Sequence, residues 1–287
     1  MEPQIQAFLE DLASQQKLST NTRLSYTNDL QCFSSFLRDS LRRSPQLVDF
    51  DAQHIFNFLE FERRRGRRQA TIQRRRATLR RFAKFLGADF QIPELSIETD
   101  IENQLPLIEI LSAAEIEQLI IVFKARKNPL GHRDHAIFDT LLETGLRISQ
   151  LISIELSAVN LADQKLYLPT NNGQNFNLSL GHSAQTIAIY LQTGRPEING
   201  AGQQSALFIS QKGRRMTRQG IWQILQKWGR VAQISGQLSP RRIRNTAAKR
   251  LFEAGQPRTM IQHALGHEYP QSTELFLKRI TTPPKPD

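Results

Sequence analysis

Apolar residues recur along most of this chain at the three- and four-residue steps of amphipathic helices. Ile5, Phe8, Leu9 and Leu12 share one face, and Leu24, Leu30, Phe33 and Phe36 form the next stripe behind a Ser19-Thr20-Asn21 cap. A third helix is predicted over Ala52–Glu62, and Ile72, Leu79, Phe82 and Leu86 mark another. Between Ile5 and Leu86 nothing alternates as a strand would. Periodicity then lapses from Gly87 to Leu111, where Pro93 and Pro106 accompany Glu94, Glu98, Asp100 and Glu102. We read 91–111 as a linker between a helical domain over 1–90 and a second domain over 112–287. The second domain opens on Ser112-Ala-Ala-Glu115, a capping box ahead of Ile116, Leu119 and Ile120. Ala136, Ile137, Leu141 and Leu142 carry a helix that Gly145 closes, and Leu151, Ile152 and Leu156 begin the next.

Lys165–Pro169 and Phe176–Leu180 predict a small hairpin, with Asn171-Asn172-Gly173 as its turn. Thr217 caps a helix bearing Ile221, Trp222, Leu225 and Trp228, and both tryptophans are assigned to the core rather than to base stacking. Ser239 and Pro240 start a helix that puts Arg241 and Arg244 on one face and runs to Gly255. Pro257 opens another through Ile261 and Leu265, which Gly266 stops, so that His267 is presented just beyond its end. The Pro-rich tail from Thr281 is expected to be disordered. The pattern is mainly α, with one small antiparallel sheet in the second domain.

Composition narrows the partner. The 287 residues carry a formal net charge of +11 with 39% hydrophobic content, so a polyanion is the default partner of a globular protein. Ribosome-associated and membrane-surface proteins share that balance. Within it, Arg63 to Lys84 is the densest basic stretch, holding Arg67, Arg68, Arg74, Arg75, Arg76, Arg80 and Arg81 with no acidic residue between Glu62 and Asp89. Solvated helices usually mix both signs, whereas an unbalanced run repels itself unless an anion relieves it. With the apolar stripe packed inward, these arginines are expected to face outward onto double-stranded DNA, and Lys212, Arg214 and Arg215 of a second basic loop to join them. Cys32, the single cysteine, excludes an internal disulfide and cysteine-rich zinc sites, and reads as an inert thiol. No apolar run reaches membrane-span length and the amino terminus lacks a signal-peptide pattern. The expectation is a cytoplasmic, nucleoid-associated protein with no cofactor, no metal and no membrane partner.

The run Ser239-Pro-Arg-Arg-Ile-Arg244, then Leu265-Gly-His267, then nine residues to Phe276 resembles the carboxy-terminal signature of the tyrosine recombinases, the phage integrases and Xer-type resolvases. Leu141 to Leu151 is similar to the arginine box of that family and assigns its first catalytic arginine to Arg147. The resemblance covers nearly the whole chain. It implies a SAM-like, core-binding helical domain that forms one arm of a C-shaped clamp on duplex DNA, and a mixed α/β catalytic-type domain. It also implies a reaction in which a tyrosine attacks a phosphodiester, arginines hold its nonbridging oxygens and a lysine protonates the leaving 5′ oxygen.

Several of those parts are missing. Phe276 stands at the nucleophile's position, Asn171 at the lysine's, Arg241 at the first histidine's, and Asn245 and Gln150 replace a usual histidine and glutamate. Arg147, Arg244 and His267 survive, and with Arg241 they are expected to bind phosphate. The favoured reading is a catalytically silent DNA-binding relative acting as an accessory, architectural or regulatory factor, alone or with a second copy or an active recombinase. Two alternatives stand beside it: an enzyme using a displaced tyrosine or one supplied by a partner, and a protein-interaction subunit without DNA binding.

Overall fold

The structure is a computed structural model that describes residues 1–14, 20–87, 108–169, 175–265 and 269–281. The chain divides into two compact units, Met1–Leu105 and Pro106–Asp287. Ser19, Asn171, Gly266, His267 and the tail beyond Thr281 lie outside the described residues, so the cap, turn and helix stop expected there are not described.

Among its described residues the first unit has helices and no strand: α1 (Glu2–Ser14), α2 (Thr20–Leu41), α3 (Ala52–Arg64) and α4 (Gln69–Phe85). Asp51 starts α3 by accepting the His54 backbone N–H at 2.8 Å. Phenylalanines dominate the core, with Phe8 and Phe33 set edge-on to Phe82 and Phe58 at 5.3 Å between ring centroids. Ile5, Phe8, Leu12, Leu30 and Phe33 are buried as their spacing predicts, Leu37 is buried with them, Leu9 and Phe36 are half-buried, and Leu24 is 61% exposed. Leu24 and Leu30 are six residues apart, which turns a helix about 120° away from a shared face.

The basic run does not face outward as a whole. Arg75 is 5% exposed, because it stands three residues after Ile72 and four before Leu79, squarely on the apolar stripe. Its guanidinium pairs with Glu62 at 2.5 Å and with Asp29 at 3.6 Å, and sits over the Phe58 ring. Arg74 also reaches the fully buried Asp29, at 2.5 Å, where Thr78 Oγ1 donates at 2.9 Å. Burial pushes the Asp29 carboxyl up, against the pull of the Thr78 hydrogen bond and the two arginines. Arg81 lies over the Tyr26 ring. Arg67, Arg68 and Arg80 are exposed.

The second unit contains α5 (Ala113–Ala125), α6 (Pro129–Thr144), α7 (Ile148–Ser153), β1 (Val159–Asn160), β2 (Lys165–Pro169), β3 (Asn175–Ser179), α8 (Ser183–Ile189), α9 (Arg218–Val231), α10 (Pro240–Glu253), α11 (Arg258–Leu265) and α12 (Pro270–Thr281). The hairpin forms with Leu166 opposite Leu178, and the short β1, which the periodicity did not predict, extends it to an antiparallel order β1-β2-β3. The capping box at Ser112 and Glu115 closes in both directions. Thr217 and Ser239 cap α9 and α10 through the backbone N–H groups of Gly220 and Arg242. Trp228 is buried and donates its indole N–H to Asp134 at 2.8 Å. Trp222, assigned to the core with it, is 45% exposed; these two are again six apart. Among the described residues no helix is long and apolar enough to cross a membrane.

The end of the stretch read as linker is tied down. Glu109 O and Ile110 O accept from Asn245 and Arg242, each at 3.1 Å, and Leu111 N–H donates to Thr246 Oγ1 at 2.8 Å. Arg242, which the sequence reading passed over, also pairs with both carboxylate oxygens of Glu115, at 2.7 and 2.8 Å.

Arg75→Ala would leave buried Glu62 only the more distant Arg67 and Arg65, at 3.5 and 4.0 Å, and would remove one of the two arginines on Asp29, so it should cost about 3 kcal/mol of stability. Arg80→Ala, on the exposed face of the same helix, should stay within about 0.5 kcal/mol. Chemical denaturation of both variants checks this, and equal effects would refute the assignment of Arg75 to the core.

Candidate functional site

The site forms where α6 ends. Gly145 takes a left-handed conformation, φ +64°, and a Cβ there would lie 3.1 Å from that of Ala264 and 3.4 Å from that of Ala247. Glycine therefore lets α10 and α11 close on the α6–α7 junction. Arg147 follows two residues later at the start of α7, where its backbone N–H donates to Gln150 Oε1 at 2.9 Å. Gln150, at a position where the family resemblance led us to expect glutamate, thus holds the helix start.

Arg244 lies on α10 and donates from Nε to Ala264 O of α11 at 2.9 Å. Its second terminal nitrogen, Nη2, is buried and has no hydrogen-bond partner among the described residues. Burial, and then the charge of Arg147, push its pKa down to about 10. Two guanidiniums are thereby held close enough to oppose one another. Arg241 is exposed one turn earlier on the same helix.

Phe276 comes from α12 and packs beside Ala248, Ile261, Leu265 and Leu277, the small apolar cluster joining the last three helices. Arg147, Arg241, Arg244, Asn245 and Phe276 all line one cavity of about 410 Å³, together with Arg279. Arg279 was not singled out from the sequence. Its position three residues after Phe276, on the same helical face, was the available signal. No carboxylate lies among the described lining residues. Such a cavity suits an oxyanion, since guanidinium forks match phosphate oxygens. Tyr269 is 63% exposed just ahead of α12, and Tyr190 is fully buried.

The other predicted contacts divide. Lys212 and Arg214 are exposed in a turn where Gly213 has φ +67°. Arg215 is instead tied to Glu155 at 2.5 Å and to Ile152 O at 2.8 Å. Arg76 and Arg81 are half-buried. Asn171 and His267 lie outside the described residues, so the structure does not bring them to the cavity or remove them from it.

Because burial first, and the charge of Arg147 second, depress the pKa of Arg244 to about 10, its charged form is disfavoured in the folded protein, a cost present at neutral pH and relieved as pH rises through about 10. Arg147→Gln should therefore raise the Arg244 pKa above about 10, which the pH dependence of its guanidinium NMR signals measures. An unchanged Arg244 pKa would mean that burial alone depresses it.

Comparison with known proteins bears on the two domains. The phage integrase family aligns with residues 109–279, and the phage integrase N-terminal SAM-like domain with residues 5–89. The chain is 30% identical to the tyrosine recombinase XerD of Pseudomonas putida over 96% of its length and 92% of that protein's. It is 28% identical to the tyrosine recombinase XerC of Roseiflexus sp., with coverage of 96% and 89%. Among solved structures, the fold is similar to the XerH site-specific recombinase bound to a palindromic difH substrate, at a TM-score of 0.73 and 15% identity, covering 89% of this chain and 76% of that one. Two matched domains in the expected order, with a full-length relative at 30% identity, make this chain a member of the phage integrase family, the tyrosine recombinases, similar to its Xer branch.

Proposed function

We propose that this chain is a catalytically silent tyrosine recombinase relative that binds double-stranded DNA as an accessory, architectural or regulatory factor. The observation that carries this reading is Phe276 lining the same cavity as Arg147, Arg241 and Arg244. A phenyl ring offers no oxygen to attack phosphorus, so the covalent step lacks its nucleophile. Asn171, at the position the resemblance assigns to the catalytic lysine, has no titratable proton for the leaving 5′ oxygen, a loss that alone costs about 10²- to 10⁴-fold. What is kept is the means of holding phosphate. Exposed Arg67, Arg68 and Arg80 in the first unit, and Lys212 and Arg214 in the second, extend that hold along a DNA backbone. A second copy of the chain or an active recombinase is the partner such a factor would serve, in the cytoplasm at the nucleoid.

A second reading rests on Tyr269, which is exposed at the start of the helix that carries Phe276. The relatives named above are called recombinases, and this tyrosine is the hydroxyl through which the chain would share their activity.

Duplex binding should weaken steeply with salt, and charge reversal at Arg68 and Arg80 together should reduce the slope of log affinity against log salt by about 2. Fluorescence anisotropy from low to moderate salt measures it. A slope near zero, or one the double reversal leaves intact, would remove the DNA-binding reading.

Nicked suicide substrates should trap no covalent protein–DNA adduct on denaturing gels. Phe276→Tyr alone should give at most weak cleavage, since residues that act as a unit do not recover additively. Adding Asn171→Lys and Arg241→His should raise it. An adduct with the unaltered chain would refute the silent reading, and peptide mapping to Tyr269 would establish the second one.

A further inference from the structure

In the first unit a groove of about 620 Å³ is lined from α1 by Phe8 and Asp11 and from α4 by Ala77, Arg80, Lys84 and Phe85. Its floor is aromatic. The Phe85 ring centroid lies 5.3 Å from that of buried Phe8, which packs in turn on Phe82, yet Phe85 keeps 40% of its surface exposed. The ring is thus braced on one side and open on the other, with small Ala77 along the same helix leaving room above it. Arg80 and Lys84 are exposed and four residues apart, so they repel one another, and neither has a hydrogen bond or ion pair among the described residues. The remaining charges of the lining are engaged: Arg81 lies over the Tyr26 ring, and Asp11 has a partner of its own. Fully paired DNA uses only half of such a surface. Its phosphates satisfy Arg80 and Lys84, but its bases stack on one another and leave the phenyl ring in water. An unpaired nucleotide supplies both halves, a π face for the ring and a phosphate for the cations beside it. The groove also has the size of pockets that enclose small ligands, about 300–1,000 Å³.

Resting on the DNA-binding reading above, we propose that this groove takes an unpaired nucleotide of bound DNA, its base stacked on Phe85 and its phosphate held by Arg80 and Lys84. The consequence is a preference for DNA that is bulged or locally melted, which phosphate contacts alone do not confer. Because Phe8 already fixes the ring, little freedom is lost when a base settles on it.

The test is anisotropy with three duplexes of the same sequence: fully paired, bulged by one extra thymidine, and bulged by one extra abasic residue, which bends the duplex without offering a base. The thymidine bulge should bind about tenfold more tightly than the abasic one, the worth of a single stacked base. Phe85→Leu keeps an apolar side chain against Phe8 and removes the π face. Checked for its fold by thermal melting, it should abolish that advantage while affinity for paired duplex stays the same. Independently of any variant, 5-iododeoxyuridine at the unpaired position should photocrosslink to Phe85, as peptide mapping would locate. Equal affinity for the two bulges, with salt-dependent duplex binding intact, would overturn this inference and leave the DNA-binding reading standing. Failure to bind any of the three would remove both. A crosslink that maps away from Phe85, or a base-dependent advantage that survives in folded Phe85→Leu, would refute the assignment to this groove. Self-association that Phe85→Leu abolishes, with no base-dependent advantage, would put a second copy of the chain there instead.

Discussion

The contact on which the site depends is the approach of Gly145 to Ala247 and Ala264, where any side chain at 145 would meet a methyl group at about van der Waals distance or less. It closes α10 and α11 onto the end of α6, so that Arg244 can reach Ala264 O while Arg147 emerges next to it. Like charges so placed oppose folding. Burial of the Arg244 guanidinium adds to that cost and is the larger cause of its lowered pKa. Charge held this way needs little reorganisation when an anion arrives.

The same residue type serves opposite ends in the first unit. Arg75 and Arg74 direct their charge into Asp29 and Glu62 and fasten α4 to α2 and α3. Arg68 and Arg80 leave theirs at the surface, and exposed Arg67 shares Glu62 at 3.5 Å. Net charge counts both sets alike, although only the second attracts a polyanion. A buried ion pair of this kind contributes little net stability while intact, but losing one partner leaves an uncompensated charge.

On the silent reading proposed above, family membership and chemistry separate at Phe276. The aromatic ring fills its place against Ala248, Ile261, Leu265 and Leu277, and that packing has no use for a hydroxyl. The fold is therefore indifferent to an atom on which the reaction depends. Fold does not specify function, which resides in the atoms of the site.

Local chemistry was legible in the sequence. The caps at Ser112, Thr217 and Ser239, the stop at Gly145, the hairpin and most helix faces follow from interactions spanning a few residues, and the chain encodes those directly. Arg147, Arg241, Arg244 and Phe276 were legible as a set through resemblance to a family motif. The failures at Leu24 and Trp222 were local too, since six residues is not a helical repeat. Arg75 could have been found by the same arithmetic, because it completes the stripe of Ile72, Leu79 and Phe82. Tertiary structure alone decided that Asp29 and Glu62 would receive that charge, that Arg242 would join Glu115 across 127 positions, and that Arg279 would enter the cavity with its fellow arginines. Partners so distant along the chain are chosen by how helices pack, and packing depends on every face at once.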